Sequence, residues 1–137
     1  MITALDTNVL LDILLADRFA DPSGQAVEDA AKAGSLVVCE IVYAELCVLF
    51  RPQRDCDQFL QENEIRVEAL TRQACFLASR VWRTYRRRGG KRSHILADFL
   101  IGAHAQLRAS RLVSRDRGFY RGLFPSLELI DPAASAI

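Results

Sequence analysis

The chain has 137 residues, half of them hydrophobic and 26% charged, with a formal net charge of +1. That length suits one domain with a proper core and leaves little room for a second, so the expected organisation is one unit over residues 1–137. No apolar run approaches the roughly 18 residues of a membrane span. The N-terminus carries no basic segment and is interrupted by Asp6 and Asp12, which argues against a signal peptide and for a cytoplasmic protein.

Ile2 to Leu5 is a short apolar run that ends at Asp6, and Thr7-Asn8 then offer cap chemistry to a second run, Val9 to Leu15. The pattern predicts a buried strand that delivers a carboxylate to the start of a helix. Arg18 to Pro22 reads as a loop and Ser23 to Lys32 as a helix ended by Gly34. Leu36 to Cys39 is a strand candidate, followed by a helix from Glu40 to Phe50 that Arg51-Pro52 stops. Asp55 to Asn63 reads as another helix, and Ile65 to Leu70, with Ile65, Val67 and Ala69 alternating, as a strand. Thr71 opens a long helix with Ala74, Leu77, Ala78, Val81 and Trp82 at core spacing, running into the arginines before Gly89-Gly90. Ser93 to Ala109 predicts the next helix and Arg111 to Ser114 a strand that leads to Asp116. Arg117 to Phe124 reads as a loop or short turn, and Leu127 to Ile130 as a last edge strand. Strands alternating with helices imply an α/β sandwich with a mainly parallel sheet.

Four acids occupy awkward places in this scheme. Asp6 and Asp116 each follow a short apolar strand, and if those strands are neighbours their acids meet at one sheet edge, where open parallel sheets bind ligands. Glu45 lies in the stripe Ile41, Val42, Leu46, Leu49, and Asp98 lies among Ile95, Ile101 and Gly102, so a helical period puts both on or beside apolar faces. Converging carboxylates repel one another in a low dielectric, and a divalent cation resolves the repulsion. An oxygen donor set without a cysteine or histidine cluster points to Mg²⁺ or Mn²⁺. Cys39, Cys47, Cys56 and Cys75 form no CxxC and read as reduced, structural thiols.

The segments ALDTNVLLD, VYAEL, ILADFLIGAHA and LVSRDRGFYRGLFPSLELIDP carry those four acids in that order. They resemble the blocks of PIN-domain ribonucleases, and most closely those of the VapC toxins of bacterial toxin-antitoxin pairs, over nearly the whole chain. The resemblance implies a PIN-like three-layer α/β/α sandwich. It also implies catalytic, metal-holding roles for Asp6, Glu45, Asp98 and Asp116, with Thr7, Asn8 and Ser114 as supporting donors. Glu45 is preferred to Glu40, which sits at the helix start and complements its dipole. The implied reaction is Mg²⁺- or Mn²⁺-dependent endonucleolytic hydrolysis of RNA, leaving 5′-phosphate and 3′-hydroxyl ends. The implied partners are an RNA substrate and a VapB-like antitoxin, whose C-terminal segment lies along the acidic groove, often with an arginine at the metal site. A homodimer and a larger assembly with the antitoxin are the usual quaternary states. Two features depart from the pattern: Ala97 precedes Asp98 where a polar residue is common, and the basic stretch is heavier than the pattern requires.

That stretch, Arg80, Arg83, Arg86, Arg87, Arg88, Lys91 and Arg92, contains no acid and leaves the rest of the chain acidic. Cations suit a helix C-terminus, but Arg83, Arg86, Arg87, Arg88, Lys91 and Arg92 are also the candidates for RNA phosphate contacts, with Tyr85 available for stacking. His94 stands one turn before Asp98 and within possible reach of the site, His104 reads as structural, and Asp12 as facing away or capping locally. Two rivals remain. A phosphotransferase of the haloacid-dehalogenase type would want an acid at position 8, where this chain has Asn8, and a functional lysine, for which only Lys32 and Lys91 are available. A catalytically silent PIN-like module that binds RNA or protein would keep the fold without the reaction.

Overall fold

The computed structural model describes residues 1–91, 96–116 and 118–135. Five strands, β1 (Ile2–Leu5), β2 (Ser35–Cys39), β3 (Ile65–Glu68), β4 (Arg111–Val113) and β5 (Glu128–Ile130), form one sheet in the order β3-β2-β1-β4-β5, and every neighbouring pair is parallel. The helices are α1 (Thr7–Leu15), α2 (Ala20–Ala33), α3 (Glu40–Cys47), α4 (Gln53–Glu62), α5 (Arg72–Arg87), α6 (Leu96–Arg108) and α7 (Phe119–Leu123), with a 3₁₀ turn over Pro132–Ser135. Strand order grows from β1 to β3 in one direction, then resumes at β4 on the other side of β1. Because parallel crossovers are right-handed, that reversal sends the earlier and later helices to opposite faces, which makes the three-layer sandwich. Accordingly α1 packs on α2 and α5 on α6. The reversal also opens a crevice beyond the C-terminal ends of β1 and β4, the place where such sheets bind ligands.

Leu36, Val37, Val38, Leu112 and Val113 are fully buried in the central strands, as strands covered on both faces require. Phe99, Phe124, Leu5 and Leu10 fill the layers around them.

Several boundaries differ from the sequence reading for identifiable reasons. Helix α2 starts at Ala20 rather than Ser23, since Pro22 in a first turn removes no intrahelical hydrogen bond. Ser23, read as its cap, instead points inward. Helix α3 ends at Cys47, ahead of Phe50. Trp82, assigned to the core, is 41% exposed, because α5 turns only its Ala74 and Ala78 face fully inward. Ile65 is buried and Val67 is 43% exposed, since β3 is a sheet edge. The segment read as a loop or short turn around Phe119 forms the short helix α7, entered through Gly118 at φ +92°, a left-handed conformation that favours glycine. The first turn predicted for α6, together with His94 and Arg92, lies outside the described residues.

Candidate active site

Register builds the site. Leu5 pairs with Val113 across β1 and β4, so the next step along both strands sets Asp6 beside Ser114. The Ser114 hydroxyl donates to Asp6 Oδ2 at 2.7 Å, and the Thr7 amide donates to Asp6 Oδ1 at 2.7 Å. The Thr7 hydroxyl reaches the other way, donating to Glu45 Oε1 at 2.6 Å, and so ties α3 to the end of β1. Asn8 closes the β4 side: its Oδ1 accepts from the Arg115 amide at 3.2 Å and its Nδ2 lies 3.4 Å from both Ser114 Oγ and the Arg115 carbonyl.

Asp6 is 6% exposed and Asp116 5%, whereas Asp98 is half-buried and Glu45 exposed. Burial, reinforced by the charge of Asp98, pushes the Asp6 carboxyl up to about 6 against the lowering effect of its hydrogen bonds from Ser114, Thr7 and Tyr120. The Asp116 carboxylate is held by backbone: it accepts from the amides of Gly118 and Arg121, each at 3.2 Å, and from that of Tyr120. It therefore caps α7 while standing one strand away from Asp6. The charges of Asp6, Asp98 and Asp116 are thus all felt at Tyr120, and Thr7 links Glu45 to Asp6.

Tyr120 stands between these acids and is not among the residues the sequence singles out. It is 3% exposed; its hydroxyl bonds to Asp6 and its own amide to Asp116. Burial, then the charges of Asp6 and Asp98, hold its phenol far above the ordinary range, so it is a neutral donor. Its ring belongs to a chain of aromatics, Tyr120 to Phe119 at 5.0 Å, Phe119 to Phe99 at 5.2 Å and Phe99 to Tyr85 at 5.4 Å, that joins α5, α6 and α7 behind the site. The available signal was the apolar set Phe119, Tyr120, Leu123 and Phe124 at helical spacing, obscured by Gly118 and Gly122.

Asp12, read as facing away from the site or capping locally, is 1% exposed and forms a two-pronged pair with Arg115, Nε to Oδ2 and Nη2 to Oδ1 both at 2.8 Å. Ser23 donates a further hydrogen bond at 2.7 Å. Burial opposes the charge on Asp12, but Arg115 and Ser23 outweigh it and hold its carboxyl below the usual carboxylate range. Arg115 also stacks over Phe19 at 4.4 Å. The pair anchors the turn between Ser114 and Asp116 to α1. His104 is buried with Nε2 3.0 Å from Glu68 Oε1, a contact that joins α6 to β3. Glu40 accepts from the Leu70 amide at 2.9 Å and takes no part in the site.

Among the described residues, no three acidic, histidine or cysteine side chains converge tightly enough to hold a metal ion as they stand. The donor chemistry nevertheless fits a hard divalent cation: the clustered groups are carboxylates and hydroxyls, and the buried Asp6 is penalised for its charge. Of the basic candidates, Arg83, Arg87, Arg88 and Lys91 are exposed, whereas Arg86 is half-buried and spends a hydrogen bond of 3.0 Å on the Gly90 carbonyl at the end of α5. No described helix is long and apolar enough to cross a membrane.

The PIN domain family matches residues 3–122 of the chain. Solved structures with the same fold include VapBC2 from Rickettsia felis bound to a promoter DNA fragment, 22% identical with a TM-score of 0.73 over 96% of this chain and 98% of that one. VapBC-1 from nontypeable Haemophilus influenzae is 19% identical with a TM-score of 0.70, covering 97% of this chain and 99% of that one. FitAcB from Neisseria gonorrhoeae is 18% identical with a TM-score of 0.62, covering 97% and 99%. No curated protein sequence matches.

Proposed function

The chain belongs to the PIN-domain family, and on that footing we propose that it is a metal-dependent endoribonuclease, the toxin of a VapBC-type toxin-antitoxin pair. The observation that carries this reading is that Asp6 and Asp116 follow adjacent parallel strands and that their charges, with that of Asp98, are all felt at Tyr120. Asp6 and Asp98 are the principal ligands for Mg²⁺ or Mn²⁺. Asp116 and Glu45 bind directly, through water, or by orienting the nucleophile. When bound, the ion supplies a water of lowered pKa and neutralises charge on the scissile phosphate. Ser114 and the Thr7 amide fix the rotamer of Asp6, Thr7 aligns Glu45, and Asn8 holds the strand end that carries Ser114. The exposed cations of α5 give the RNA backbone a positive approach to an acidic centre.

The fold shared with the VapBC and FitAcB structures supports a VapB-like antitoxin as partner; a homodimer-based, cytoplasmic assembly is part of the same proposal. One observation favours the second reading, a silent RNA- or protein-binding module: the Asp6 and Asp116 oxygens already accept internal hydrogen bonds. The test is cleavage of cellular RNA by the purified, antitoxin-free protein with Mg²⁺, Mn²⁺ or EDTA, beside the double variant Asp6→Asn, Asp98→Asn. Cation-dependent cutting lost in the variant supports the nuclease. A folded wild type that cuts nothing supports the silent module.

A further inference from the structure

The α5 helix carries a feature the acidic centre does not use. Phe76, Arg80, Thr84 and Arg88 succeed one another at four-residue intervals, so they form one slowly winding stripe along the helix. Arg80, Thr84 and Arg88 line one wall of a groove of about 310 Å³, whose other wall is Gly122, Leu123 and Pro125, at and just beyond the end of α7. No acid lines it. The Arg80 guanidinium lies 4.6 Å from the ring of Phe76, which is 60% exposed. Thr84 spends its hydroxyl on the Arg80 carbonyl at 3.2 Å, so the two arginines carry the groove's polar recognition. They are separated by about 12 Å along the helix.

The groove shares helix α7 with the acidic centre, its lining beginning within one helical turn of Tyr120. Its α7 wall begins directly after Tyr120 and Arg121, whose amides hold Asp116, and Tyr85, next to Thr84, reaches Phe119 at 6.4 Å. A flexible strand cut at the acids has this cleft within a few nucleotides' reach. Spaced cations with an exposed aromatic at one end suit a flexible backbone with an unstacked base, whereas a duplex offers no free base face.

We propose that the α5–α7 groove is a binding site for single-stranded RNA flanking the scissile bond, with Arg80 and Arg88 on separate phosphates and Phe76 stacking a base. The inference rests on the RNA reading above and selects within the basic run: it adds Arg80 and Phe76, and it sets Arg88 apart from the cations on other faces of the helix.

The test measures binding of a fluorescent single-stranded RNA oligonucleotide in EDTA, where binding is read without cleavage, as a function of salt. The variants are Arg80→Gln with Arg88→Gln, Phe76→Ala, and a charge-matched control, Arg51→Gln with Arg54→Gln, on exposed positions before and in α4. The groove predicts a salt slope lower by about 1.4 in the first double variant, from two lost phosphate contacts. It predicts affinity about tenfold weaker with unchanged slope for Phe76→Ala, and little change in the control. Equal slopes in both double variants would reduce the effect to overall charge and overturn the site, as would a wild type that binds no RNA. A change in oligomeric state of Arg80→Gln, Arg88→Gln by sedimentation, with RNA binding intact, would make the groove a protein interface and also overturn it. If the protein binds RNA as predicted yet never cuts it, the nuclease reading fails while the groove stands.

Discussion

Asp6 is the residue on which the site turns, because its position sets two demands that conflict. The end of β1 buries it, and the ion it is proposed to hold needs its charge. Its folded-state carboxyl stands at about 6, above the ordinary 3.8, so the protonated form is the one the metal-free fold prefers. The stability tied to this group is therefore fully present below about pH 4 and is lost as pH rises through 6, by about 3 kcal/mol at most. Asp6→Asn should remove that dependence: in EDTA at pH 7.5 the variant should resist denaturant better than wild type, and the difference should vanish near pH 4. A wild type whose stability is flat across that window would contradict the assignment. Tyr120 acts on the same carboxylate as Ser114. Phe in place of Tyr120 keeps the ring but removes the donor, so carboxyl NMR should find Asp6 titrating at higher pH, with a nearly unchanged melting temperature. If Asp6 titrates as before, the phenol has no hold on it. The acids were legible in the sequence because each breaks an apolar pattern. Tyr120 was not, since an aromatic at helical spacing looks like core until the hydroxyl is seen to reach a carboxylate.

Between elements, the work is done by contacts that local pattern does not encode. Asp12 and Arg115 lie far apart in the chain, yet their pair joins α1 to the turn carrying Asp116. Nothing near Asp12 in sequence announces an arginine more than a hundred positions away, so its burial could not be anticipated. Arg115 retains 17% side-chain exposure and Asp12 only 1%, so the two halves of the pair are not equivalent. Arg115→Leu strands a buried carboxylate and should cost about 3 kcal/mol or more in denaturant unfolding. The double variant Asp12→Leu, Arg115→Leu should recover part of that loss, and additive losses would show the two side chains to be uncoupled. Helix α6 meets α7 through Gly102, where an added Cβ would come within 2.4 Å of the buried Phe124 ring. Gly102→Ala should therefore lower stability by about 1 to 3 kcal/mol through overpacking, and a neutral result would mean that Phe124 has room to move. Strand and helix order, by contrast, followed from apolar runs and their spacing. The differences at α2 and α7 arose where Pro22, Gly118 and Gly122 looked like loop residues but serve helix starts and turns.

At the scale of the whole molecule, function follows from topology. Strand order reverses beside β1, and that reversal opens the crevice where acids from β1, α6 and the end of β4 gather. The sequence could supply the acids and the alternation of elements, but whether β1 and β4 are neighbours is a non-local fact. The pairing of Leu5 with Val113 supplies it, and with it the contact of Asp6 with Ser114. The central claim is that this acidic centre is built for a divalent cation even though its carboxylates are engaged by internal donors. Calorimetric titration of Mn²⁺ into the metal-free protein tests it most directly, at pH 7.5 and 5.5, beside Asp6→Asn and Asp98→Asn. The account predicts saturable binding at pH 7.5, weaker at pH 5.5 as protons compete for Asp6, and at least about tenfold weaker in either variant. Binding that is absent from the wild type, or equal in wild type and Asp6→Asn, would contradict it.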